Sequence, residues 1–195
     1  MTAWQRFMKI IYPILRAFHR LIGKNNHSYS SSAPAIQSFY GLSATQNNGQ
    51  EINFSSFRNK KVLIVNTASD CGYASQFKDM EALFEMKKDS IEILAFPAND
   101  FKQETYDDPA IDEFCKKHYG VTFPVMKKSK VVIHSAQNKV YEWLTDKDRN
   151  GWNEHAPTWN FCKYLVDEKG NLTHFFEAAE SPTGKKILSA IEEKN

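Results

Sequence analysis

Val62-Leu63-Ile64-Val65 is a short β-branched run of the kind that reads as a fully buried strand. It constrains the fold most because residues 74 to 86 follow it with a helical pattern, and "IEILAFPAND" then supplies a second buried run. Alternation of this kind belongs to an α/β protein. Between the first strand and the helix lies "VNTASDCGYASQF", with Cys71 at the corner. Open α/β sheets place their chemistry at the carboxyl ends of strands, beside helix N-termini. The position is suggestive before the residue type is considered.

Downstream, "DDPAIDEFCKKHYG" predicts a helix with Asp near its start and Pro109 in its first turn. "KVVIHS" reads as a third strand. "WNFCKYLVDEKGNLTHFF" alternates on both sides of a Lys-Gly-Asn turn and predicts an antiparallel hairpin. "SPTGKKILSAIEEKN" predicts a closing helix with Ser181 as N-cap and Pro182 at the first helical position. The order suits a thioredoxin-like α/β fold, a central mixed β-sheet flanked by helices. That body is expected to span residues 36–195.

Residues 1–35 read differently. The net charge of +2 conceals an arm holding Arg6, Lys9, Arg16, Arg20 and Lys24 without an acid, while the body is slightly acidic. The body offers no cationic surface that argues for nucleic acid. Residues 4–22 are too charged to span a bilayer, yet their cations fall in one arc opposite Trp4, Phe7, Ile11, Leu15 and Phe18. This fits a helix lying in a membrane interface or a targeting segment, and equally an amphipathic helix packed on protein. The charges argue against a secretory signal peptide. "NNHSYSSSAPA" is expected to be a disordered linker.

Cys71, Cys115 and Cys162 are widely spaced and odd in number, so a disulfide-stapled secreted framework is not indicated and a cytoplasmic, reducing compartment is the default. Ala74 stands where a C-x-x-C motif starting at Cys71 would need its second thiol. Paired zinc ligands are missing, and no cofactor is indicated. A thiol becomes nucleophilic only on ionising, which a helix N-terminus and nearby donors favour. An inward carboxylate of Asp70 would oppose this, so Gln, Asn or indole donors are required.

"FYGLSATQNNGQEINFSSFRNKKVLIVNTASDCGYASQF", "AFPANDFKQE", "IDEFCKKHYGVTFPVM" and "TWNFCKYLVDEKG" resemble successive blocks of the glutathione peroxidase family. The resemblance implies a thioredoxin fold and hydroperoxide reduction, with Cys71 as peroxidatic residue in place of selenocysteine. It implies Gln103, Trp159 and Asn160 as its assisting donors. "NDFKQE" has one residue fewer before its Gln than the family pattern, and Ala74-Ser75 replaces the usual Thr-Pro. Trp152-Asn153 is a rival pair, but only Trp159-Asn160 runs directly into the hairpin. Strict alternation would send Trp159 and Asn160 to opposite faces, so both reach one sulfur only if the strand begins irregularly.

Cys115 falls where thioredoxin-using members carry a resolving cysteine, and it also lies on the apolar stripe of its helix; both readings stand. Cys162 reads as a packed residue. The short connection between "GVTFPVM" and "TWNF" resembles compact, monomeric members, which favours thioredoxin over glutathione as reductant. Rival functions are a non-catalytic binding module, with Cys71 inert, and a peroxide sensor that passes its oxidation to a partner.

Overall fold

The computed structural model describes residues 27–193, so the basic stripe of residues 4–22 lies outside the described residues. Its centre is β4 (Lys61–Thr67), buried at every position. β5 (Ile91–Pro97) runs parallel to it, in register from Lys61 opposite Ile91 to Thr67 opposite Pro97. α1 (Gln76–Lys87) supplies the crossover that parallel strands need. On the other side of β4 lies β6 (Lys163–Val166), antiparallel, and then β7 (Leu172–Phe176). β1 (Ser28–Ser30) pairs with β7 and completes the order β1-β7-β6-β4-β5. The result is the mixed, helix-flanked sheet of a thioredoxin-like fold.

Two-residue periodicity divides the core between the two sheet faces. Leu63, Val65 and Leu165 meet apolar residues of α1, α2 (Asp108–Tyr119) and α5 (Lys185–Glu192). Val62, Ile64, Tyr164 and Val166 meet α3 (Lys139–Leu144) and the single turns holding Phe39, Phe54 and Phe57. A short helix α4 (Lys147–Asn150) and a separate hairpin of β2 (Ser43–Thr45) and β3 (Glu51–Asn53) complete the body. Because Ile64 is fully buried, its truncation to Ala is expected to cost about 2–5 kcal/mol.

Local chemistry sets the boundaries. α2 begins where the Asp107 carboxylate accepts from the Ala110 amide, with Pro109 in the first turn, and it ends at Gly120 with φ 66°. The β6–β7 turn uses Gly170 at φ 87°, a conformation only glycine adopts freely.

Four expectations need correction. "KVVIHS" is not a strand: the Asp100 carboxylate takes the Val131 amide at 2.9 Å, Lys130 pairs with Asp100 at 3.3 Å, and the chain turns back, leaving Ile133 exposed. The closing helix starts at Lys185 with Gly184 as N-cap. Ser181 instead holds the preceding turn through the Thr183 and Gly184 amides. The serine-rich segment is not wholly a linker, since Ser28–Ser30 is an edge strand. Finally, α1 begins two residues later than its apolar pattern, at Gln76, so Cys71 sits on a turn ahead of the helix.

Candidate active site

β4 delivers the chain to Thr67, whose carbonyl accepts from the Ala98 amide just past the end of β5. The chain then turns. The Cys71 amide donates to the Ala68 carbonyl at 3.4 Å, and the Ala74 amide to the Cys71 carbonyl at 2.9 Å. Within this turn the Tyr73 amide donates to Cys71 Sγ at 3.4 Å. A donor aimed at sulfur favours the charged form of a thiol. Cys71 is 6% exposed, so this N–H acts with little competition from water. Asp70 raises no obstacle: its exposed carboxylate accepts from the Thr105 hydroxyl at 3.3 Å, on the solvent side.

A second loop, residues 98 to 105, is fastened to that turn. The Asp70 amide donates to the Gln103 carbonyl at 3.0 Å, and both the amide and hydroxyl of Ser69 donate to Glu104 Oε2 at 2.8 Å. Burial pushes the Glu104 carboxyl above its ordinary value, against the lowering effect of the Ser69 bonds. Asn99 Oδ1 accepts from the Glu104 amide at 3.2 Å and closes the loop on itself.

The third contributor is the turn before β6. Asn66, buried in β4, receives the Phe161 amide on its carbonyl at 2.6 Å and the Cys162 amide on Oδ1 at 3.0 Å, while its Nδ2 donates to the Trp159 carbonyl at 2.9 Å. Phe161 adopts φ 68°, so the strand does begin irregularly. The kink carries Asn160 inward, where it is fully buried and its Nδ2 donates to Gln103 Oε1 at 2.9 Å. That bond spends the acceptor of the Gln103 amide and leaves its NH2 as the donor. Trp159 is half-buried, its ring centroid 5.4 Å from that of Phe101.

Cys71, Gln103, Trp159 and Asn160 therefore lie on three segments tied together at the carboxyl end of β4. Trp152 and Asn153 are held elsewhere, the indole on the Leu172 carbonyl and the Asn153 amide on the Leu144 carbonyl.

A family model described as glutathione peroxidase matches residues 39–145, more than half of the 195-residue chain. The chain belongs to the glutathione peroxidase family. It is 42% identical over 159 residues to the glutathione peroxidase-like peroxiredoxin GPX5 of Chlamydomonas reinhardtii, covering 78% of this chain and 97% of that one. The solved structure of T. cruzi GPX1 is 25% identical, covers 80% of this chain and 97% of its own, and superposes with a TM-score of 0.60. A thioredoxin family thiol:disulfide interchange protein from Chlorobium tepidum TLS shares the fold at 15% identity, with a TM-score of 0.59 over 84% of this chain and 99% of that one. Among site residues, Cys71, Gln103 and Cys115 fall inside the family match, whereas Trp159 and Asn160 lie beyond it.

None of the three cysteines of this family member is in a disulfide. Cys115 is 1% exposed on α2, packed in the apolar cluster that also contains Cys71. Burial, then the negative fields of Glu104 and Asp112, push its thiol up to about 12. Cys162 is fully buried, burial raises its thiol too, and the Thr158 hydroxyl lies 3.8 Å from its sulfur. Among the described residues no cluster of three His, Cys, Asp or Glu is placed to hold a metal, and no helix is long and apolar enough to cross a membrane.

Two positioning residues escaped the sequence reading. Asn66 signalled itself as the lone amide inside an apolar strand, and Glu104 as the acid beside Gln103.

Proposed function

We propose that Cys71 is the peroxidatic nucleophile of this family member, which is a peroxidase. The observation that carries the assignment is the Tyr73 amide on Cys71 Sγ, in a turn fastened to the loop of Gln103. The thiolate attacks the terminal oxygen of a hydroperoxide. The S–O bond forms as the O–O bond breaks, and the departing oxygen takes a proton to leave as water or an alcohol. Cys71 is oxidised to a sulfenic acid while the peroxide is reduced. The Gln103 NH2, oriented by Asn160, and the Trp159 indole supply hydrogen bonds to the charge moving between sulfur and oxygen.

A sulfenic acid condenses with a thiol, releasing water and forming a disulfide. Cys115 is the proposed intramolecular partner. Its burial requires α2 to open before that step, and an external dithiol of the thioredoxin type then restores both thiols by exchange. The "peroxiredoxin" in the name of the Chlamydomonas relative supports a dithiol over glutathione. The expected outcome of steady-state assays at matched peroxide is faster turnover with thioredoxin than with glutathione, abolished in Cys71→Ser. Thioredoxin-coupled turnover of Cys115→Ser at the wild-type rate would remove the resolving role alone.

The compact connection before Trp159 supports a monomer, which light scattering checks. The basic stripe of residues 4–22 supports contact between a cytoplasmic protein and a membrane surface. Deletion of residues 1–26, which leaves β1 intact, is expected to abolish binding to anionic vesicles.

A further inference from the structure

Lys163 is a lysine placed where the sheet excludes water. Its neighbours Cys162 and Tyr164 point toward α3, so its own side chain leaves β6 on the opposite face, among Val65, Leu165 and Phe176. That is the face of α1 and of the Cys71 turn. Lys163 is fully buried. Its Nζ donates to the carbonyls of Ala178 at 3.0 Å and Glu180 at 2.5 Å, in the segment that follows β7. The same Ala178 carbonyl accepts from Nε2 of Gln76, the first residue of α1, at 2.8 Å. One residue therefore joins the strand beside β4 to the helix that the Cys71 turn leads into.

A methionine would fill this space without taking a charge out of water, a desolvation that remains costly even after relaxation. The two carbonyl dipoles accept from the ammonium but leave its net charge to act on whatever ionises nearby. The titratable groups whose charge acts on it are Cys162, from the other face of β6, and then Glu180, Asp79 and Cys71. The Asp79 carboxylate accepts from the Ser181 hydroxyl at 3.1 Å, and the Glu180 carboxylate lies 3.5 Å from Lys186 Nζ. Cys162 is itself fully buried beneath Thr158. Of the four, only Cys71 carries out the proposed reaction.

We propose that Lys163 is a positioning residue for the peroxidase reaction: its buried ammonium favours the thiolate of Cys71, and its clamp on residues 178–180 holds the head of α1 behind the Cys71 turn. This inference rests on Cys71 being the peroxidatic thiol. Opposite charges in a low-dielectric interior each favour the other's ionised form, with little screening by salt. Burial lowers the Lys163 ammonium to about 7, partly offset by Cys162, Glu180, Asp79 and Cys71. Lys163 therefore changes charge in the pH range where activated thiols ionise. The coupling is reciprocal, so removing the thiolate must make Lys163 easier to deprotonate.

Two measurements test it. Single-turnover oxidation of Lys163→Met by hydrogen peroxide, followed across pH, is expected to show a profile moved up by about one unit, with the wild-type rate regained at alkaline pH. A profile superimposable on the wild type, or one lowered equally at every pH, would overturn the charge role. The second measurement avoids any change at Lys163: a nuclear magnetic resonance titration of carbon-13 ε-labelled lysine in the wild type and in Cys71→Ser. The Lys163 midpoint is expected to fall in Cys71→Ser, and an unmoved midpoint would overturn the proposal even if Lys163→Met does not fold. Rapid oxidation of wild-type Cys71 with no Lys163 effect removes this inference alone. An inert wild-type Cys71 removes the peroxidase assignment instead.

Discussion

Cys71 and Cys115 share one apolar cluster, and both are almost closed to water. Their surroundings nevertheless differ in kind. Cys71 stands on a turn, where backbone amides are not committed to a helix ladder and one of them points at its sulfur. Cys115 stands inside α2, where the amides are spent on carbonyls one turn back, and its buried thiol feels only the apolar cluster and the negative fields of Glu104 and Asp112. Burial is common to both, so burial alone does not make a thiol inert or reactive. What separates them is whether the local backbone has a donor to spare.

The contrast can be broken most sharply by alkylation. With its thiol near 12, Cys115 holds on the order of one thiolate in ten thousand at pH 8 and should label roughly a thousandfold more slowly than an ordinary exposed thiol. Iodoacetamide labelling with peptide mass analysis is expected to modify Cys71 long before Cys115, with the difference lost in denaturant. Next in size is the donor side of the site: Gln103→Ala should slow peroxide oxidation of Cys71 by about 10²–10³-fold in stopped flow, the cost of one transition-state donor. Asn66→Ala removes the side-chain half of the clamp on the Trp159–Cys162 turn. We expect about 1–3 kcal/mol lost in urea unfolding, together with slower oxidation, because the Cys162 amide loses its acceptor and the Trp159 carbonyl loses its donor.

The last effect is on pH. The folded state raises the Cys115 thiol from about 9 toward 12, so its contribution to stability is complete below pH 9 and is lost as pH rises through 12. Unfolding free energy should therefore fall across that alkaline window, and the slope should be shallower in Cys115→Ala.

The same distinction, between what a residue's neighbours in sequence supply and what distant segments supply, explains what could be read beforehand. The β4–α1–β5 order and the Asp and Pro at the start of α2 rest on local patterns, and these were legible. So was the Cys71 corner, because it needs only a buried strand ending before a helix. "KVVIHS" misled because the amide that a strand partner would have taken goes to Asp100, a residue about thirty positions away. Ser181 misled because its hydroxyl serves the turn and Asp79 rather than a helix amide. The irregular start of β6 was deduced as a requirement for Trp159 and Asn160, yet its cause, Asn66 reaching across from β4, lies almost a hundred residues upstream.

The most direct test of the whole account is to mix reduced wild-type protein with one equivalent of hydrogen peroxide in the presence of a sulfenic acid trap and to locate the modified residue by mass spectrometry. Adduct on Cys71 within the first turnover, with Cys115 and Cys162 untouched by the trap, is the predicted result. A Cys71 that remains a thiol while peroxide is consumed, or an adduct that forms first on Cys115, would contradict it.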